Sequence, residues 1–280
     1  MKLTVITINY NTPEMTERVI RNFFAMEKDL EFEMILIDNN SDKKVSRAII
    51  NEFNLKFIQN SKNLGFAKAV NQGIGESRGD YVLLLNSDVF IEKKAISRMI
   101  EYAQACPEAG IMGPRMLYPD KSFQASFGRF PTLWREFLRF SLLYRILPGA
   151  TVTVNTIFKQ IKITEAQEAD WLSGGCMLIR RGLIDELGLF DEKYFFGMED
   201  FDFCFRAQQI GYKAIYYPFC PAIHYHGHSS GGLRNAKRFK YDKLGMQYFL
   251  KKNFPNKFIT RFFINLMYDF KISIANLLKL

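Results

Sequence analysis

The side chains that could do chemistry in this 280-residue chain fall into four groups. Asp38 ends the run EMILID, and Asn86-Ser87-Asp88 ends the run YVLLL. Glu199 and Asp200 are adjacent in GMEDFDF, and all three histidines (His224, His226, His228) alternate within HYHGH. Carboxylates and imidazoles exchange protons near neutral pH and hold divalent cations. Oxygen ligands suit Mg²⁺ or Mn²⁺, which keep waters and bind through few carboxylates plus phosphates. Alternating histidines in an extended segment project to one side, so a three-histidine zinc site is one arrangement open to them. Each group also has a plainer use. Asp88 could begin a turn or cap a helix starting near Glu92, and Glu199-Asp200 could simply profit from a helix N-terminus.

The hydrophobic pattern supplies the elements that must position these groups. LTVITI (3–8), EMILID (33–38), LKFIQ (55–59) and YVLLL (81–85) read as strands, the last of them apolar on both faces and therefore central. Pro13 opens a helix to about Met26, a second helix is expected near 43–53, and a third follows Gly65 with small residues on one face. Strand and helix alternate with short links, which predicts an α/β, doubly wound, mostly parallel Rossmann-like sheet with helices on both faces. Right-handed crossovers then bring Asn9, Asp38 and Asp88 to the same edge, where such sheets bind ligands. After Pro114 the pattern loosens, and 118–165 reads as an excursion from the sheet, an acceptor- or membrane-facing element carrying the apolar, basic run LWREFLRFSLLYRILPG. DWLSGGCMLIRR (170–181) restores a strand preceded by a polar and glycine turn, MEDFDFCFRAQQIG (198–211) has helical spacing, and KAIYYPF is a last strand leading to HYHGH. Asp202 and Arg206, four apart on that helix, read as an internal ion pair.

Composition is that of a globular protein, with 48% hydrophobic and 24% charged residues and no repeat. Cys106, Cys176, Cys204 and Cys220 lack CxxC spacing, so neither a zinc ribbon nor a disulfide framework is indicated. Asn9 and Asn11 arrive too early for a signal-peptide core, and no apolar run reaches the ~18 residues of a spanning helix. A cytoplasmic protein is expected. Charge is uneven: residues 233–280 hold 11 Lys/Arg against two Asp, whereas the preceding 232 hold 27 of each sign. The body is neutral and the tail carries the excess.

Seven spaced stretches give the chain a relative: VITINYN, ILIDNNS, NLGFAKAVNQGI, RGDYVLLLNSDV, GGCMLIRR, GLFDEKYFFGMEDFDFCFRA and HYHGHSS. Over roughly residues 1–230 the chain resembles glycosyltransferase family 2, in particular bacterial rhamnosyltransferase-like members that assemble cell-surface polysaccharides. The resemblance implies a GT-A fold over 1–232 and a donor that is a nucleoside-diphosphate sugar, dTDP- or UDP-linked. It implies an acceptor that is a lipid-linked or growing glycan. Asp88 matches the last acid of the family's DXD motif, a ligand to the donor's metal, and Asn86 departs from the usual first acid. His224 matches a second ligand to that metal. Asp38 matches the base-reading carboxylate, an acceptor suited to a pyrimidine N3–H. Thr7, Asn9 and Asn40 are expected around the nucleoside, and Gly65, Lys68, Asn71, Asn86 and Ser87 along the donor. Asp200 matches the general base, with Glu199 beside it to orient the acceptor. Trp171, Gly174 and Gly175 are expected to form an acceptor platform, an aromatic face suiting the apolar side of a sugar. Lys68 and Trp171 also have plain readings, as a solvated helix lysine and a core tryptophan.

The tail FITRFFINLMYDFKISIANLLKL (258–280) confines Arg261, Asn265, Asp269, Ser273 and Asn276 to a narrow polar stripe. A basic, aromatic, amphipathic helix without a spanning run suits an anionic membrane surface, here the inner face of the cell membrane. Packing on the body or in a homodimer is the alternative. Nucleic-acid binding is not expected, because no recognition motif accompanies the charge. Two other functions compete with sugar transfer. A nucleotidyltransferase would want a glycine-rich basic loop after the first strand, where NYNTPE stands, and a non-catalytic binding module would have lost its acids.

Overall fold

The computed structural model describes residues 1–130, 163–195, 197–225 and 236–277. The first half alternates as the sequence predicts: β1 (Leu3–Asn9), α1 (Pro13–Met26), β2 (Phe32–Asp38), α2 (Arg47–Glu52), β3 (Lys56–Gln59), α3 (Phe66–Gly75) and β4 (Tyr81–Leu85). There follow β5 (Val89–Ile91), α4 (Ala95–Ala105), β6 (Ala109–Leu117), β7 (Phe127–Gly128), β8 (Gln167–Ala169), β9 (Trp171–Leu172) and β10 (Cys176–Arg180). The chain continues through α5 (Arg181–Leu187), α6 (Glu199–Gln209), β11 (Lys213–His224), α7 (Ala236–Asn253) and α8 (Phe258–Leu277).

The main sheet runs β3-β2-β1-β4-β10-β6-β11-β5, with β8 on β11. β1 to β4 are parallel, and so are β6 and β11, but β10 enters antiparallel between β4 and β6. The expected parallel sheet is therefore mixed beyond β4. The order reverses between β1 and β4, which makes their carboxyl ends the switch-point crevice of the sheet. The helix expected near Glu92 starts at Ala95. β5 occupies 89–91, and α4 starts at Ala95 with Glu27 Oε1 accepting from the Ile96 N–H at 2.7 Å. Asp88 is thus not the cap of that helix.

Alternation along each strand feeds two cores. Leu3, Val5, Leu36, Leu83 and Leu85 meet α1, α2 and α4 on one face through Val19, Ile20, Phe23, Ile49, Ile96 and Ile100. Ile6, Ile35, Ile37, Val82 and Leu84 meet α3, α5 and α6 on the other through Val70, Ile74, Leu183, Phe203 and Ala207. Each such side chain contributes roughly 1.5–3 kcal/mol on burial. The small residues of α3 let it lie close to the sheet: a Cβ on Gly73 would stand 2.8 Å from Ile6 Cγ2.

A third, smaller core joins the C-terminal helices to the segment before and within α6: Tyr194, Phe201, Met246, Phe249, Leu250 and Ile264 are all buried there. Polar contacts reinforce it. Asp202, fully buried, accepts from Arg206 Nε at 2.8 Å as the i, i+4 spacing predicted, and from Lys252 Nζ at 2.9 Å. Lys252 also reaches Asp191 at 2.8 Å. Replacing Lys252 by Met removes charged hydrogen bonds from a buried carboxylate and is expected to cost about 2 kcal/mol in urea unfolding. An unchanged midpoint would show that Lys252 contributes nothing to the docking of α7.

Candidate active site

At the carboxyl end of β1 and β2, Asn9 and Asp38 are register partners and their side chains meet: Asn9 Nδ2 donates to Asp38 Oδ2 at 2.7 Å and to Ser41 Oγ at 2.9 Å. Asp38 Oδ1 accepts from the Ser41 N–H at 2.9 Å and from Gln59 Nε2 at 2.8 Å. Asn9 Oδ1 in turn accepts from Thr16 Oγ1 at 3.0 Å. The carboxylate is buried and held by three donors from three different elements, so its orientation is fixed. Thr7 lies behind it with a buried hydroxyl that has no hydrogen-bond partner. Asn40, exposed and left-handed at φ 64°, turns the chain out of β2.

Asp88 follows β4, and its backbone carbonyl accepts from the Tyr225 N–H at 2.9 Å, which brings the end of β11 alongside. His224 Nε2 then stands 3.1 Å from Asp88 Oδ1, with Asp88 only 1% exposed. The contact lacks the alignment of a hydrogen bond, and Oδ1 has no hydrogen-bond partner. On the far side of the ring, His224 Nδ1 lies 3.0 Å from Gln124 Oε1, and the tautomer that donates from Nδ1 to that oxygen turns the Nε2 lone pair toward Asp88. Two ligand atoms at right angles around a cation with bonds of ~2.1 Å stand about 3 Å apart, so an unpaired carboxylate oxygen beside an imidazole lone pair fits a small divalent ion. Among the described residues no third His, Cys, Asp or Glu joins them in a metal cluster, and His226 and His228 lie outside those residues. A pair of protein ligands suits a cation whose other ligands are phosphate and water.

The turn 173–175 between β9 and β10 links this pair to the acids. As the sequence predicts, a polar and glycine turn precedes the strand β10, and the two-residue β9 stands before that turn. Asn86 N–H donates to Gly175 O at 2.9 Å, and Gly174 N–H donates to Asp200 Oδ2 at 2.8 Å. A Cβ at Gly175 would stand 3.5 Å from Asn86 Nδ2 and 3.6 Å from His224 Cε1, and one at Gly174 3.6 Å from Asp200 Oδ2. The bare turn therefore leaves space between the Asp88–His224 pair and Asp200. Ser87 Oγ meets Thr12 Oγ1 at 3.1 Å and ties the ends of β1 and β4 together.

Glu199 and Asp200 open α6 behind Met198, whose φ of 72° is strained for a side chain of that size. Asp200 accepts from Gly174 and, through Oδ1, from the Phe201 N–H at 2.8 Å. Burial raises its pKa, and those N–H groups pull it back. Glu199 is pushed up to about 8, first by burial and then by the neighbouring Asp200 charge, with Asp242 adding to it. Burial thus raises both acids at this helix start and brings them nearer to neutral pH than an exposed carboxyl, the pattern of groups available for proton transfer.

The remaining expected residues sit at the margin. Gly65, at φ 82°, packs so closely on the 190s loop that a Cβ would stand 2.6 Å from Phe195 O. Lys68 Nζ lies 3.5 Å from Glu192, and the buried Asn71 exchanges hydrogen bonds with the Phe190 backbone at 2.9 and 3.0 Å. Trp171 is partly buried against Gly128 and Phe201. Sequence reasoning missed Gln124, Ser41, Gln59 and Asp242. Gln124 meets His224 across a hundred positions, so no local pattern announces it.

With this geometry in hand, comparison with known proteins is specific. The family model for glycosyl transferase family 2 matches residues 4–188. An N-acetylglucosaminyl-diphospho-decaprenol L-rhamnosyltransferase of Mycobacterium tuberculosis is 29% identical over 242 residues, covering 82% of this chain and 78% of that protein. Rhamnosyltransferase WbbL of Escherichia coli is 23% identical, covering 81% and 84%. Among solved structures, the Pyrobaculum calidifontis mannosyltransferase PcManGT, in complex with GDP-Man and Mn²⁺, aligns with a TM-score of 0.61 at 14% identity over 98% of this chain and 73% of that one. Staphylococcus aureus TarS aligns with a TM-score of 0.59 at 17% identity over 89% of this chain, which spans only 40% of that one. At these identities the structural likeness is one of fold, and that fold is GT-A. The chain is a glycosyltransferase and belongs to glycosyl transferase family 2.

Proposed function

We propose that the chain transfers a sugar from a nucleoside-diphosphate donor to a hydroxyl of a lipid-linked or growing glycan, by a single in-line displacement that inverts the anomeric centre. Rhamnose from a dTDP-linked donor is the favoured sugar, because the M. tuberculosis and E. coli relatives both carry rhamnosyltransferase names. The observation that carries the reading is the sequence of groups along one sheet edge: Asn9–Asp38, then Asp88–His224, then Asp200 across the glycine turn. Asp38 reads the pyrimidine, and the rigid Asn9–Ser41–Gln59 frame holds its acceptors ready. Asp200 takes the acceptor's proton as its oxygen bonds to the sugar, since a sugar hydroxyl is a poor nucleophile at neutral pH. Asp88 and His224 would hold Mg²⁺ or Mn²⁺, which when bound offsets charge on the departing diphosphate. Thermal unfolding with nucleotide sugars, with and without Mn²⁺, tests the assignment. A metal-dependent rise with dTDP-rhamnose is expected, and a chain that no nucleotide sugar stabilises would sink it.

The acceptor's lipid also gives the tail a role. On α8, Phe258, Phe262, Leu266 and Phe270 recur every four residues and are 56–68% exposed, while Ile264 on the opposite side is buried. Lys257 and Arg261 flank this stripe, and no helix among the described residues is long and apolar enough to cross a membrane. Apolar insertion aided by attraction to anionic headgroups, ~1 kcal/mol for each basic residue near the surface, suits such a face. Phe262→Ser with Phe270→Ser is expected to cut co-sedimentation with anionic vesicles at least ~10-fold without unfolding, because both rings are exposed. Wild-type protein that ignores vesicles and sediments as a dimer would assign the stripe to a second copy instead.

A further inference from the structure

In the segment that leads to α6, Phe190 and Tyr194 are buried, whereas Phe195 is 48% exposed. Single exposed aromatics are ordinary on a protein surface. This one differs in how it is held and where it stands. Its segment is pinned at two points: Asn71 exchanges hydrogen bonds with the Phe190 backbone at 2.9 and 3.0 Å, and Phe195 O accepts from the Phe66 N–H at 3.1 Å. The start of α3 gives way to the ring. A Cβ at Gly65 would stand 2.9 Å from Phe195 Cδ2, and φ there is 82°, so glycine alone suits the position. From α7, Tyr241 stacks on Phe195 with ring centroids 6.1 Å apart and 27° between the planes.

Phe66 connects this ring pair to the base. The point that a Cβ on Gly174 would occupy lies 3.5 Å from Asp200 Cβ and 3.6 Å from Phe66 Cε1, while the corresponding point on Gly175 lies 3.6 Å from His224 Cε1. The glycine turn therefore has Asp200 and Phe66 at one end and the metal pair at the other. Inverting displacement brings the attacking oxygen to the face of the sugar opposite the leaving group. Groups on the Asp200 side, away from Asp88 and His224, then face the acceptor. Trp171, the aromatic expected to serve there, is engaged elsewhere: its ring lies 5.9 Å from that of Phe201, and a Cβ at Gly128 would stand 2.9 Å from its Nε1.

We propose that Phe195, backed by Tyr241, is the platform on which the acceptor's sugar ring lies, an assignment that rests on Asp200 acting as the base of a glycosyl transfer. A pyranose presents C–H groups on its flat side, and these suit the electron-rich face of an aromatic ring. Its hydroxyls project from the rim, where one of them meets Asp200. A platform whose backbone is fixed beforehand loses little freedom on binding. The carrier of a lipid-linked sugar would continue along α7 toward α8, whose Ile264 shares a core with Met246 and Phe249 of α7. Phe195 contacts the acceptor equally before and during transfer, so it sets acceptor affinity and leaves the chemical step alone.

The test compares three full-length proteins, wild type, Phe195→Leu and Phe195→Tyr. Leucine keeps an apolar cover over Gly65 but has no flat face, and tyrosine keeps both. Saturation-transfer NMR with octyl glycosides of N-acetylglucosamine, glucose, galactose and rhamnose reads binding without turnover. Wild type and Phe195→Tyr are expected to saturate the ring C–H protons of at least one glycoside, and Phe195→Leu to bind that glycoside on the order of tenfold more weakly. In steady-state transfer from dTDP-rhamnose, the acceptor KM of Phe195→Leu should rise by a similar factor, with kcat and donor KM within about twofold of wild type. A wild type that binds none of the glycosides, or a leucine variant that binds as wild type does, overturns the platform. So does a donor KM that rises with the acceptor KM, which would give the ring to the donor. A tyrosine variant as weak as leucine overturns it too, since packing on Gly65 would then be the cause. If wild type binds a glycoside through Phe195 yet transfers no sugar to it from any nucleotide sugar, the transferase reading has failed while the carbohydrate platform stands.

Discussion

Asp200→Asn is expected to retain donor binding and to slow transfer by ~100-fold or more, the scale on which a positioned base contributes. The exchange keeps size and removes basicity, but it is not silent structurally. Both carboxylate oxygens accept a backbone N–H, from Phe201 and from Gly174. An amide has a single acceptor oxygen, so one of these N–H groups must face an NH₂ group instead. A stability loss of about 1 kcal/mol is expected from that mismatch. It belongs to the 173–175 turn or the start of α6 and should appear in thermal unfolding. Donor affinity, measured by calorimetry, separates the two effects, since the Asn9–Asp38 frame does not touch Asp200. The charge removed also acts on Glu199, whose proton affinity Asp200 raises. In the variant Glu199 gives up its proton at lower pH than in wild type. Turnover near the wild-type level would move the base away from Asp200, with Glu199 the next candidate.

Much of the site's frame was readable in the sequence because it depends on local pattern. An apolar run that ends in Asp needs no tertiary information to be read as a strand with a polar tip, and β2 and β4 end within a residue of where their patterns stop. Pro13 and Gly65 mark helix starts through backbone geometry alone, and α1 and α3 begin at Pro13 and Phe66. The antiparallel entry of β10 was not readable. Its CMLIR run is apolar on both faces whichever way it points, and direction is decided by the turn at 173–175 and by Arg181 N–H bonding Asp80 O. Gln124 is invisible for another reason: its contact joins the loop after β6 to the end of the neighbouring β11, a hundred positions on, and a lone glutamine in a loop has no periodicity to betray it. Asp242 was hidden by charge bookkeeping. The excess of basic residues over 233–280 marks a charged tail and leaves open where it packs, which burial of Phe249 and the Lys252 contacts with Asp191 and Asp202 decide for α7. Net charge says where a segment is drawn from afar, and apolar packing says where it rests.

Asp88→Ala is the other large expected effect, and its sign should differ between the free and the loaded protein. In the free protein Asp88 is a buried carboxylate whose Oδ1 lacks a hydrogen-bond partner, 3.1 Å from His224 Nε2. Holding it there has a desolvation cost that alanine does not carry, so metal-free stability should be unchanged or slightly higher. Donor binding in the presence of Mn²⁺ should move the opposite way. The imidazole of His224, held through Nδ1 by Gln124, would be left as the single protein ligand at this pair. Changes even to the partners of metal ligands reduce affinity 10–100-fold, so losing a ligand itself is expected to weaken the metal-dependent part of donor affinity by ~100-fold or more. A donor at a hundred times its dissociation constant stabilises a fold by ≈ 2.7 kcal/mol, and a hundredfold weaker affinity reduces that to a few tenths. Thermal unfolding therefore reads both halves in one experiment: the free variant melts with or above wild type, and donor plus Mn²⁺ no longer raises it. A variant that Mn²⁺ and donor still stabilise as they do wild type would remove Asp88 from the metal site and return it to a structural role at the end of β4.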